Sequence, residues 1–208
     1  QRPSTWDATI NLIAEQLHKC APAEMALIFS ARMTNEEIYM VRALARQLGI
    51  TKYDFVARTG ESDNMLISED RNPNSTGAKL ITGKTGSGLA TIRRGVRNGS
   101  IRSLIVLGED VTAEAGFTEE DLSGLDYLLV MHHSENATTK AADVVLPGVT
   151  FAEKYGTMVN VCGRIQRLNK AIEPLGEARS DWDIMRELTQ ALGCDCPRVI
   201  ACPSPMII

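Results

Sequence analysis

Short uninterrupted apolar runs, separated by segments of helical length, constrain this chain more than any other feature. Met25-Ala-Leu-Ile-Phe29, Leu104-Ile-Val-Leu107, Tyr127-Leu-Leu-Val-Met131 and Val144-Val-Leu146 all lack the polar alternation of a half-exposed strand. Such runs fit strands buried on both faces, the condition of a parallel sheet covered by helices. Between the first run and Phe55-Val-Ala, a further short strand, lies the cleanest helical segment. There Thr34 and Glu37 make a capping-box pair, Ile38, Val41, Ala45 and Leu48 form an apolar stripe, and Gly49 supplies a left-handed stop. A strand, a helix long enough to cross over and a second strand pair in parallel. The class read from this order is α/β, a mainly parallel sheet flanked by helices.

Three more helices follow the same logic. Trp6, Ile10, Ile13 and Leu17 share a face, with Ser4 at the N-cap position and Pro22 as the stop. Leu89, Ile92 and Val96 make a stripe closed by Asn98-Gly99; the last helix starts at Ser180, carries Trp182, Met185, Leu188 and Leu192, and stops at Gly193. No internal repeat emerges, so residues 1–208 read as a single domain. Within it, 58–87 reads as a long polar loop, with a turn at Asn72-Pro73-Asn74, and 194–208 as an irregular tail.

Composition removes several function classes. With 22 Lys+Arg against 26 Asp+Glu, the net charge of −4 lacks the basic footprint of a nucleic-acid partner. No uncharged apolar run reaches the length of a membrane span, which speaks against direct membrane insertion. The 5 cysteines are odd in number, with Cys194, Cys196 and Cys202 bunched at the tail, unlike a secreted disulfide framework, so reduced thiols in the cytoplasm are expected. The chain opens Gln1-Arg2-Pro3 without an initiator Met, and both ends read as cuts in a longer protein.

Most candidate motifs are weak. Gly77 to Gly83-Lys84-Thr85 invites a phosphate-loop reading, but five residues separate Gly77 from Gly83 where that loop needs four. Gly86-Ser87-Gly88 is half a dinucleotide fingerprint and reads better as a loop before a helix. His132 and His133 follow a central strand, yet only Glu135 stands near as a further metal ligand. Cys194-Asp-Cys196 with Cys202 is an incomplete thiolate set, and free thiols are expected. The most specific stretch runs from Ala141 to Gln166, a strand, a proline stop and a glycine-punctuated polar loop. That loop presents Glu153, Thr157, Asn160, Arg164 and Gln166. They suit a polar ligand or a partner backbone, and equally a turn network that satisfies itself.

The same residues resemble the molybdopterin oxidoreductase superfamily, which includes the large subunits of formate dehydrogenases and the large iron–sulfur subunit of NADH-quinone oxidoreductase (complex I). The resemblance rests on Ala142-Asp-Val-Val-Leu-Pro147, on Glu153, Gly156-Thr157, Asn160, Gly163-Arg164 and Gln166, and on Ala178-Arg179-Ser180-Asp181-Trp182. Trp6-Asp7-Ala8 and Ser30-Ala31-Arg32 through Glu37 are similar to earlier landmarks of that superfamily. Asp63-Asn-Met-Leu66, Asn72-Pro73-Asn74 and Gly77-Ala78 look like the complex I branch in particular.

This resemblance implies a fold of the formate-dehydrogenase or molybdopterin-domain type, here reduced. Neither a molybdenum-ligating motif nor an N-terminal cluster motif is visible, the span from Val56 to Leu104 is short, and Cys162 stands where relatives often have Glu. The implied role is therefore the pterin-type domain of a large subunit of the NADH-quinone oxidoreductase kind. That domain would be structural, without metal ligands or cofactor of its own, and not catalytic in isolation. It would support electron transfer by iron–sulfur clusters held in a preceding segment or in partner subunits of an NADH dehydrogenase-type complex. Such a chain would be cytoplasmic, peripheral to the inner membrane through that complex. The alternative is the part of a formate-dehydrogenase-like oxidoreductase that binds molybdopterin guanine dinucleotide. By the resemblance, the cofactor contacts would be Gly108, Glu109 and Asp110, then His132, Ser134, Thr138 and Thr139, and finally Thr157, Asn160, Arg164 and Gln166.

Overall fold

The computed structural model describes residues 3–63 and 65–193. Five parallel strands form the central sheet: β1 (Met25–Phe29), β2 (Lys52–Phe55), β3 (Ser103–Leu107), β4 (Tyr127–His132) and β5 (Val144–Pro147), in the order β2-β1-β3-β4-β5. Around them lie α1 (Trp6–Lys19), α2 (Asn35–Gln47), α3 (Ser75–Thr82), α4 (Leu89–Arg97), α5 (Val111–Glu114), α6 (Glu119–Ser123), α7 (Ala137–Ala141) and α8 (Asp181–Ala191). A separate antiparallel hairpin, β6 (Gly156–Val159) and β7 (Ile165–Leu168), completes the fold.

The apolar runs do what their composition requires. Every residue of β1 and β3 is buried, and alternate side chains enter opposite layers. Leu27 and Phe29 join Ile13, Leu17, Ile38, Leu44, Ile184 and Leu188 beneath α1, α2 and α8. Ala26 and Ile28 join Ile92, Val96, Val111, Phe117 and Leu122 on the other face. The α/β class and parallel sheet are as expected. The capping box at α2 is present in both directions, Thr34 Oγ1 accepting from Glu37 N at 3.3 Å and Glu37 Oε2 from Thr34 N at 2.8 Å.

Several local expectations need correction. Thr5, not Ser4, caps α1, its hydroxyl accepting from Ala8 N at 3.4 Å. The second strand ends at Phe55 rather than starting there. The stretch 58–87 is not loop throughout, because α3 lies inside it; its buried residues are Ser75, Gly77 and Ala78, which carry no apolar stripe. Gly77 sits in that helix, where an added Cβ would collide with the side-chain oxygens of Asn35 and Asn74. That close approach, not a phosphate, explains the glycine. The amides of Gly86 and Gly88 at the start of α4 are taken by the buried Asp54 carboxylate, at 2.8 and 2.7 Å. The tail 194–208 lies outside the described residues.

The polar loop after Glu153 is the β6–β7 hairpin, clamped by its own polar groups. Thr157 N donates to Glu36 Oε2 at 2.8 Å and its hydroxyl to Glu36 Oε1 at 2.9 Å, while Val159 N donates to Asn74 Oδ1 at 2.7 Å. Among the described residues no helix is long and apolar enough to cross a membrane.

Candidate functional site

Strand order creates a crevice at one place on the sheet. From β1 the chain leaves to β2 on one side, and from β3 it leaves to β4 on the other. Ligands of open α/β sheets lie beyond the carboxyl ends of strands at such a divide. Here the divide falls between Ser30, just after β1, and Gly108, just after β3. Gly108 has φ +72°, and a Cβ on it would stand 3.2 Å from the Cβ of Ser30. Its lack of a side chain keeps the crevice open.

A cleft of about 150 Å³ occupies this divide, lined by Ser30, Arg32, Gly108, His133, Lys154 and Asp181, among others. Alongside it, over the ends of β4 and β5, lies a wider depression of about 540 Å³ bordered by His132, His133, Ser134, Thr139 and Lys140. Beneath the cleft Lys154 Nζ sits 2.9 Å from Glu37 Oε2 and 3.0 Å from Asp181 Oδ2, all three side chains buried. Burial alone would discharge the Lys154 ammonium, but the two carboxylates outweigh it and raise its pKa above the ordinary lysine value. Burial pushes the Glu37 carboxyl up to about 7 against the pull of Lys154, and Asp181 adds to the rise.

The rings of His132 and His133 stack, with centroids 4.4 Å apart. Burial lowers the pKa of both, and for His133 the neighbouring His132 lowers it further. Both rings therefore favour the neutral form at pH 7, as acceptors or donors rather than fixed cations. The exposed guanidinium of Arg32 makes only a 3.9 Å contact with Glu114.

The residues expected at the site divide into three groups. Gly108, His132 and Ser134 line the clefts; Ser134 N donates to His132 Nδ1 at 3.0 Å, which fixes the turn after β4. Glu109, Asp110, Thr138, Thr139, Thr157 and Asn160 make internal bonds instead. Glu109 is fully buried against Arg58. Burial pushes the Asp110 carboxyl up, but bonds from the Thr112 and Thr138 hydroxyls and from the amides of Ala113 and Thr112 prevail and hold it below its ordinary value. Thr139 pairs with Asn136 in a capping box and still borders the wider depression. Asn160 Oδ1 accepts from Cys162 N at 3.1 Å and Arg164 N at 2.9 Å, a turn that satisfies itself. Arg164 and Gln166 are exposed on the hairpin and line neither cleft.

Sequence reasoning passed over Ser30, Arg32, Lys154 and Asp181. Ser30 could have been found, since it follows a buried run as Gly108 does. Lys154 gave no local signal, because Glu37 is 117 positions away and Asp181 27. Among the described residues no group of three or more His, Cys, Asp or Glu could hold a metal ion. Cys20 and Cys162 are free, and Cys194, Cys196 and Cys202 lie outside the described residues.

Comparison with known proteins identifies the family. A "putative formate dehydrogenase" of Staphylococcus haemolyticus is 41% identical over 104 residues, 49% of this chain and 11% of that protein. One of the same name from Staphylococcus aureus (strain bovine RF122) is 40% identical over the same shares. The chain thus matches about a tenth of these relatives' length. Among solved structures, acetylene hydratase from Pelobacter acetylenicus aligns with a TM-score of 0.43 at 20% identity, over 50% of this chain and 16% of that one. The molybdopterin oxidoreductase family model matches residues 70–191, more than half of the sequence. That span runs from within the polar segment through the whole of α8, and the chain belongs to the molybdopterin oxidoreductase family.

Proposed function

We propose that this chain is the pterin-dinucleotide-binding domain of a formate-dehydrogenase-like oxidoreductase, with the cofactor's anionic dinucleotide along the ends of β1, β3 and β4. The observation that carries the reading is the open divide at Gly108, where any side chain would close the space against Ser30. The names of the staphylococcal relatives support the same enzyme class.

The residues present suit such a group. Arg32 brings an exposed cation to the rim of the first cleft, Lys140, paired with Glu135 at 3.0 Å, one to the second, and neutral His132 and His133 offer ring nitrogens between them. Ser30 and Gly108 provide the floor. When bound, a molybdopterin supplies the redox-active metal centre; this chain's residues bind and orient the dinucleotide. Iron–sulfur clusters and electron partners would belong to other parts of the assembly.

A second reading is favoured by one observation. Glu109, Asp110, Thr138, Thr157 and Asn160 all satisfy internal bonds, as they would in a complex-I-type domain kept for support without a cofactor. Titration calorimetry with guanosine diphosphate separates the two. The cofactor reading expects saturable binding, weakened about tenfold by Arg32→Ala, the scale of one charge-assisted contact. No binding, together with no pterin fluorescence after expression in a molybdenum-cofactor-competent host, overturns it in favour of the support role.

A further inference from the structure

The outer edge of the main sheet adjoins a groove with no part in the strand-end site. It lies between β5 and α1, encloses about 770 Å³, and is lined by apolar Pro3, Trp6, Leu12, Val144 and Val145 with acidic Asp143 and Glu177. Leu12 is 46% exposed, whereas Ile10, Ile13, Ala14 and Leu17 of the same helix are buried.

The backbone of β5 is free along the same line. β5 ends the strand order, so one side of it has no ladder partner. Asp143 N donates inward to Leu128 O at 3.0 Å. Val144 and Leu146, in register with Leu129 and Met131, make the inner ladder, which Gly148 N continues by donating to His132 O at 3.2 Å; alternation therefore turns the N–H and C=O groups of Val145 outward. The far end is closed, because Pro147 O accepts from Arg179 N at 3.2 Å. What remains is a short, unprotected edge of the kind that recruits another strand.

Charge says which strand. Asp143 and Glu177 are exposed on the groove, and Asp7 is exposed beside Glu177 on the adjoining surface. The neighbouring cation, Arg179, is already paired with Glu187 at 2.8 Å and stacked on Trp6. A second copy docking β5 to β5 would bring like acids together. We infer that this groove accepts an extended partner segment, apolar at alternate positions and basic at its ends, which adds to β5 as a sixth strand. The outward N–H and C=O of Val145 would supply its hydrogen bonds, Trp6, Leu12 and Val144 its apolar seat, and Asp143 and Glu177 its charge selection.

The test uses the whole chain and two synthetic heptapeptides, valine at alternate positions with either lysine or glutamate at both ends. The lysine peptide should bind saturably below about 1 mM and slow amide exchange at Val145. The glutamate peptide should bind at least about tenfold more weakly, and Glu177→Lys should abolish that preference. Val145→Pro removes the outward donor without touching the inner ladder, so it should prevent binding while leaving the unfolding midpoint close to wild type. If that variant fails to fold, the exchange measurement on the unaltered chain decides. No binding of the lysine peptide, equal binding of both, or binding without protection at Val145 would overturn the inference. So would a self-associated dimer that protects the same amide.

Discussion

The Arg58 guanidinium grips the Glu109 carboxylate from two nitrogens, Nη1 to Oε1 at 3.1 Å and Nη2 to Oε2 at 2.5 Å. Arg58 also meets Glu114 Oε2 at 3.1 Å and Asn72 Oδ1 at 3.1 Å. One side chain thus fastens the polar segment after β2 to the end of β3.

Breaking that pair from one side leaves the guanidinium to Glu114 and Asn72 alone. Glu109→Ala should lose about 2–3 kcal/mol, the scale of a buried charged hydrogen-bonding group left short of a partner. Replacing both residues, Arg58→Met with Glu109→Leu, should lose less than Glu109→Ala alone. Urea unfolding of wild type and the two variants measures this directly. A double variant that loses as much as Glu109→Ala or more would show that the pair is not coupled.

The triad beneath the cleft predicts a pH dependence with a definite sign. Folding raises the Glu37 pKa from 4.5 to about 7, so the folded chain binds a proton the unfolded chain has released. Its contribution is full below pH 4.5 and is lost as pH rises through about 7. His132 and His133 act oppositely: their pKa values are lowered from 6.5, so their contribution is present above pH 6.5 and is lost as pH falls. The two slopes overlap, and Glu37→Gln separates them. Between pH 5 and 7.5 the stability of wild type minus that of the Gln variant should fall; a flat difference would place the Glu37 pKa at its ordinary value.

Gly108→Ala should cost about 1–2 kcal/mol, because φ is +72° and the new Cβ meets Ser30. The same change should weaken guanosine diphosphate binding more than Arg32→Ala does, since it fills the divide itself. Thermal unfolding and calorimetry on one preparation give both numbers. Normal binding by a destabilised Gly108→Ala would move the ligand away from β1 and β3.

The hairpin offers a contrast within a few residues. Thr157→Val removes hydroxyl bonds to Glu36 and Asn35 at 2.9 and 3.0 Å and should destabilise by about 1.5–3 kcal/mol. Arg164→Ala, at an exposed position, should stay within about 0.5 kcal/mol. If Arg164→Ala also leaves nucleotide binding unchanged, the hairpin tip is not a contact.

The strands were legible because each needed apolar atoms on both faces, and Leu104–Leu107 can satisfy that requirement in few other ways. The start of α2 was legible because Thr34 and Glu37 settle it between themselves. Among the elements that escaped, two did so for opposite reasons. Helix α3 packs through Ser75, Gly77 and Ala78, where closeness of backbone replaces apolar volume. Strand β7 exposes Ile165, Gln166 and Arg167, so no alternation marks it. At the site, Gly108 could be read from its place after a buried run. The polar residues around it could not be sorted, because Asp110 and Thr138 look alike whether they bond a ligand or each other. Sorting them needed the 2.7 Å between Thr138 Oγ1 and Asp110 Oδ1.

The Glu37–Lys154 contact also orders events during synthesis. Every strand of the main sheet has left the ribosome once Pro147 has, so the sheet can close before Lys154 exists. Until then Glu37 lies under α2 with no cation, and burying its charge is unfavourable. Seven residues later Lys154 arrives, and Asp181 joins only after the hairpin has been made. The underside of α2 is thus completed only by residues late in the chain, Lys154 and then Asp181, Ile184 and Leu188 of α8.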